Sequence, residues 1–148
     1  MDRNEAQSAL DAVRDTDRKM ATRMVWPLWR HAAYGLIVAG LLAAIPLEYD
    51  RQIIIFALMI VATMFIVLDD KRRHGMFVSG YQGGRTLMIL IANAVLFILG
   101  LLAINTWVDA PLADPVYWAA VAGMFFSSTA LSLLWQKVYQ ADLLRRRA

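Results

Sequence analysis

Residues 51–73 read RQIIIFALMIVATMFIVLDDKRR. Between Arg51 and Asp69 nothing carries a charge, and then every residue from Asp69 to Arg73 does. A bilayer hydrocarbon core of about 30 Å needs about 20 residues of helix to cross it. The stretch therefore predicts a crossing at roughly 51–68 that stops on a charged run. Working outward, three more stretches are long and apolar enough, at roughly 27–47, 86–107 and 115–136. The expected fold is all-α, a four-helix transmembrane bundle over residues 26–148 with a short basic tail. An N-terminal cytoplasmic amphipathic helix, residues 1–25, is expected to precede it.

Four crossings place both termini on one side. That side would hold fourteen of the 15 Lys and Arg residues: Arg3, Arg14, Arg18, Lys19, Arg23, Arg30, Lys71, Arg72, Arg73, Arg85, Lys137, Arg145, Arg146 and Arg147. Arg51 falls opposite, beside Glu48, Asp50, Asp109 and Asp114. The positive-inside bias makes the richer side cytoplasmic, so both termini are expected in the cytoplasm of a multi-pass inner-membrane protein. So uneven a distribution disfavours copies inserted both ways, and any homo-oligomer is expected to be parallel. The sequence pI near 9.5 invites a nucleic-acid reading, but the cations flank membrane segments. Anionic headgroups explain them better, at about 1 kcal/mol per juxtamembrane Lys or Arg.

The composition, 148 residues at 59% hydrophobic, leaves no room for a second globular domain beside four crossings. The chain has no cysteine, which excludes disulfides, thiol redox chemistry and thiolate metal sites. Residues 1–24 are too polar for a signal-peptide core, so the first crossing is expected to stay as an anchor. In that segment Asp2 and Glu5 are spaced as a capping box. Ala6, Leu10, Val13, Met20 and Met24 form a stripe, interrupted by Asp17. Such a helix either docks on the bilayer or a partner, or packs beneath its own bundle.

Smaller signals mark the element ends. Pro27 predicts a break before the first crossing, Asp50 is a plausible N-cap for the second, and Asp114-Pro115 reads as N-cap followed by proline at N1. All five tryptophans, Trp26, Trp29, Trp107, Trp118 and Trp135, fall near predicted interfaces, as an aromatic belt requires.

Residues that could carry chemistry are few. No acid or base lies in the middle of a crossing, which argues against proton-coupled transport. His31 and His74 lack the carboxylate or thiolate company of a metal or haem site, and no cofactor is expected. His31 reads better as an interfacial hydrogen-bonding residue. Asn93 is the sole amide well inside a crossing and should face protein, bonding across helices or lining a polar path with Ser127 and Ser128. Ser127, Ser128, Thr129 and Ser132 can also satisfy themselves on carbonyls one turn back. Small residues four apart (Gly35 with Ala39, Gly40 with Ala44, Ala119 with Gly123) mark close helix contact, within one copy or between copies. The loop Lys71, Arg72, Arg73, His74 and Gly75, with Gly83, Gly84 and Arg85 across it, offers a basic surface for a lipid phosphate or an acidic partner; otherwise it is a plain topology signal.

Trp26-Pro27-Leu28-Trp29-Arg30-His31 and Arg72-Arg73-His74-Gly75, with Val78-Ser79-Gly80-Tyr81 and Gly84-Arg85-Thr86, give the chain a resemblance to small four-span bacterial integral membrane proteins of unknown function. The resemblance covers most of the chain and implies a regulated envelope role without a reaction. Small multidrug transporters share the four-span size, but this chain lacks their membrane-embedded glutamate in the first helix. The expected function is non-enzymatic, exercised through association with itself, with lipid or with a larger membrane partner. A small homo-oligomeric channel or facilitative transporter is the alternative. An enzyme ranks third, with Asp69 and Asp70 beside His74 as its only cluster.

Overall fold

The computed structural model describes residues 5–9, 11–12, 25–74 and 84–145, with the side chains of His74 and residues 143–145 left aside. Four long helices follow one another: α1 Leu28–Ala44, α2 Tyr49–His74, α3 Arg85–Trp107 and α4 Pro115–Arg145. No strand occurs among the described residues. Residues 5–9 and 11–12 are helical too; the rest of the expected N-terminal stripe, and Asp2 as its cap, lie outside the described residues.

By length and composition α2, α3 and α4 can each cross a membrane. At 1.5 Å per residue, the 17 residues of α1 span only about 25 Å, short of the ~30 Å hydrocarbon core. Both ends of this short helix are fastened by α4. The Trp26 backbone N–H, just ahead of the Pro27 N-cap, donates to Gln136 Oε1 at 3.3 Å, and the Tyr117 hydroxyl donates to the Ala43 carbonyl at 2.8 Å. The second bond satisfies a carbonyl that the helix end leaves open, and the first holds the N–H of the residue before the N-cap.

Helix α1 ends at Ala44, short of the expected 47, α4 runs past the expected 136 to Arg145, and both ends of α2 differ as well. Helix α2 starts at Tyr49, so Asp50 lies in its first turn and is not its cap. Helix α2 also runs on through the charged residues 69–73 to His74, because Asp69 and Arg73, four apart, pair along the helix at 2.8 Å. At α4 the expected cap is present: Asp114 Oδ1 accepts from the Val116 N–H at 2.7 Å, with Pro115 as first helical residue. Gly84, at φ 81, is the N-cap of α3; only glycine adopts that backbone without strain.

Helix α1 is the hub. It packs against α2, α3 and α4, and α4 packs against α3, whereas among the described residues α2 touches α1 alone. The core is Val38, Ala39 and Leu42 of α1, Ile104 of α3, and Tyr117 and Met124 of α4. Gly35 permits the closest approach: a Cβ there would meet the Phe125 carbonyl oxygen at 2.7 Å and clash with Thr129 Oγ1. Gly40 faces the flexible Met59 of α2, and Gly100 of α3 faces Leu42. Ala119 and Gly123 take no part in this packing; both are exposed, and a Cβ on Gly123 would meet nothing within 4 Å.

Candidate functional site

The helices alternate in direction, so the start of α1, the end of α2, the start of α3 and the end of α4 share one end of the bundle. Contacts such as His31 with Ser132 and Tyr117 with Ala43 fix α1 and α4 as antiparallel. Among the described cations, Arg30, Lys71, Arg72, Arg73, Arg85, Lys137 and Arg145 belong to this basic end, and Arg51 to the other.

At the basic end Asp70, 3% exposed, receives two hydrogen bonds from the Arg30 guanidinium: Nε to Oδ1 at 2.8 Å and a terminal nitrogen to Oδ2. The planar fork meets the carboxylate along both lone-pair directions, the strongest ion-pair geometry available to these groups. The guanidinium also lies over the Trp26 ring, 4.1 Å from its centroid, and so gains cation–π attraction. Trp26 does not join an outward belt as expected. It is buried against Trp135 (centroids 5.6 Å apart), which in turn stacks on Tyr139. Trp29, Trp107 and Trp118 do face outward.

Beneath this pair His31 is almost wholly enclosed, with Nδ1 2.9 Å from Ser132 Oγ and Nε2 2.9 Å from Gln136 Oε1. An amide oxygen only accepts, so the proton sits on Nε2, and Nδ1 of the neutral ring accepts from the Ser132 hydroxyl. Gln136 Oε1 is thereby shared by the His31 ring and the Trp26 backbone. Both ring nitrogens of His31 are engaged within the bundle, leaving no lone pair for a metal. Among the described residues no group of three or more His, Cys, Asp or Glu is placed to hold one.

One step deeper, the Ser128 hydroxyl donates to Asn93 Oδ1 at 2.8 Å, and Asn93 Nδ2 donates to the Tyr34 hydroxyl at 3.2 Å. Asn93 thus ties α3 to α4 and α1 and faces protein. Ser127, Thr129 and Thr63 donate to carbonyls of their own helices.

Because α2 and α3 flank α1 without touching, a cleft of about 400 Å³ opens between them. Its walls are apolar: Ile37, Val38 and Leu41 of α1, Ile66 and Val67 of α2, Ile89 and Leu90 of α3, and Leu131 of α4. Trp26, Arg30 and Trp135 line it at the basic end, and Tyr34, Thr63, Asn93 and Ser132 lie further in.

Of the residues singled out in the sequence, Asn93, Ser128, Gly35 and Ala39 come together in the α1–α3–α4 interior. Lys71, Arg72, Arg73 and Arg85 are exposed at the basic end, while the His74 side chain and Gly75–Gly83 lie outside the described residues. Arg30, Tyr34 and Gln136 were not legible as a site, and Asp70 was grouped with Asp69 and His74 and not with Arg30. Their partners lie 40 to 110 positions away in sequence, and each alone reads as a solvated interfacial residue. No protein-family model, no curated protein and no solved structure matches this chain.

Proposed function

We propose that the chain is a four-span integral membrane protein, with its basic end in the cytoplasm, that works by association and not by catalysis. The observation that carries this is the standing of α2. Among the described residues this 26-residue helix packs against α1 alone, beside an open apolar cleft, while the bundle's polar groups bind one another. Asp69 and Asp70, the carboxylates that favoured an enzyme, are engaged by Arg73 and Arg30. What the described bundle offers outward is apolar helix faces, the exposed pair Ala119 and Gly123, and the cations at one end. Each suits a lipid, a second parallel copy or a larger membrane partner.

Gentle extraction from native membranes followed by mass spectrometry of the intact assembly tests this. Retained lipid, a second copy or a distinct partner supports the proposal; a bare monomer across several mild detergents overturns it. A homo-oligomeric channel or facilitator stands as the second reading because Asn93 lines the cleft. Solute flux into liposomes that Asn93→Leu abolishes would favour it. Against it, Ser128 is fully buried and spends its hydroxyl on Asn93.

A further inference from the structure

We infer that the cleft between α2 and α3 holds one acyl chain of an anionic phospholipid from the leaflet at the basic end, with its phosphate against Arg30, Lys71 and Arg85. The inference rests on the association proposal and names its ligand. Three observations point to this occupant.

The first is depth. From Arg30 to Leu41 the cleft follows α1 for eleven residues, about 16 Å at 1.5 Å per residue, or half of a hydrocarbon core of about 30 Å. Along α1 it is therefore about one leaflet deep, as a single lipid chain is, with the other three helices closing on it over residues 63–67, 89–93 and 131–135. A helix of a second copy would instead need a groove along the whole bundle.

The second is polarity along the axis. The walls beyond the basic end are Ile, Leu and Val, whereas Arg30 lines the cleft at that end. Its bonds to Asp70 use Nε and one terminal nitrogen, so a guanidinium with five N–H groups keeps donors beyond them.

The third is charge. Arg30 and Asp70 cancel, as do Asp69 and Arg73. Among the described residues the surplus cations nearest the cleft are Lys71, four residues on from the cleft-lining Val67, and Arg85, four before Ile89, with Arg72 and Lys137 exposed at the same end. Lys71 and Arg85 are exposed, and helical spacing sets them one turn outward of those wall residues. The mouth is therefore positive where a headgroup phosphate would rest, which favours anionic over zwitterionic lipid.

The test uses the full chain, delipidated in mild detergent and titrated with dioleoyl phosphatidylglycerol or dioleoyl phosphatidylcholine under native mass spectrometry. The expected result is one retained phosphatidylglycerol with at least a several-fold preference over phosphatidylcholine. Val67→Trp or Leu90→Trp, which fill the cleft with apolar bulk, should abolish retention. Lys71→Gln with Arg85→Gln should keep a lipid but lose the preference. A diazirine on the acyl chain of phosphatidylglycerol gives an independent measurement on the unaltered chain, with adducts expected on Thr63, Ile66 and Leu131. Undiminished retention in Val67→Trp, or adducts confined to outward residues such as Met64 and Phe126, overturns the inference. So does a dimer that dissolves when the cleft is filled, which would make a second copy the occupant. If self-association or a partner persists without bound lipid, the inference fails and the association proposal stands; if nothing at all is retained, both fail.

Discussion

Asp69 and Asp70 are adjacent acids with opposite fates, and replacing each by alanine should separate them sharply. The Asp70 side chain is 4% exposed and that of Arg30 14%. Removing one member of a buried pair costs about 3–5 kcal/mol because the other charge is left without its partner. Arg30 softens this, since it reaches some solvent and retains the Trp26 face, worth about 0.5–2 kcal/mol. We therefore expect Asp70→Ala to cost about 2–3 kcal/mol. Replacing both partners, as Arg30→Met with Asp70→Leu, should fall within about 1 kcal/mol of the native chain, because apolar isosteres avoid the desolvation cost. With Asp70→Leu costing as much as Asp70→Ala, and Arg30→Met about 3–5 kcal/mol because it strands the more deeply buried Asp70, the coupling energy is at least about 4 kcal/mol, roughly a thousand-fold change in the folded-to-unfolded ratio. Asp69→Ala removes a partly exposed bond to Arg73, 55% exposed, and such i,i+4 pairs are worth about 0.3–0.5 kcal/mol. The assay is reversible unfolding in mixed micelles, followed by far-ultraviolet circular dichroism, for the four corners of the Arg30–Asp70 cycle and the Asp69 control. A coupling below about 0.5 kcal/mol, or equal effects at Asp69 and Asp70, would refute the burial argument and release α2 from its anchor on α1.

Other substitutions probe other contacts. Gly35→Val should destabilise the α1–α4 contact by at least the ~1–3 kcal/mol typical of overpacking, since it drives side-chain atoms into the Phe125 carbonyl. Gly123→Ala, at an open position, should be neutral or gain up to about 1 kcal/mol of helix propensity; the same unfolding assay reads both. Tyr117→Phe removes the hydroxyl that serves the Ala43 carbonyl, at an expected cost of about 0.5–1.5 kcal/mol and with faster amide exchange near the end of α1. The absence of cysteine makes single-cysteine mapping direct. In intact cells, Tyr49→Cys should react with a membrane-impermeant maleimide, while Lys137→Cys should react only after permeabilisation. The reverse pattern would invert the proposed orientation.

The apolar lengths of α2, α3 and α4 were legible because lipid-facing helices must be apolar along most of their length, and hydropathy records that directly. So was the start of α4, where Asp114-Pro115 carries its own local chemistry. Asn93 advertised a cross-helix role by being a lone amide at depth, yet its partners could not be singled out, since three serines share the fourth span and tyrosines lie in both the first and the fourth. The pair at Arg30 and Asp70 was hidden for a different reason. Cations and acids abound at helix ends, and only the extension of α2 through its charged run brings Asp70 against α1. Trp26 misled because ring composition near an interface looks the same whether the ring faces lipid or another helix. The open side between α2 and α3 leaves no mark in the sequence at all.

The two clasps on α1 make α4 a ruler. Tyr117 and Gln136 stand nineteen residues apart on one continuous helix, about 28 Å at 1.5 Å per residue, close to the thickness of the hydrocarbon itself. Side chains set at that gauge meet the Ala43 carbonyl near one end of α1 and the Trp26 N–H just ahead of the other. In the proposed four-span arrangement lipid has little say in where α1 sits, because its depth is copied from α4. Adding or removing one residue between Tyr117 and Gln136 would rotate one clasp by about 100° away from its target, so that interval is the least free to change length.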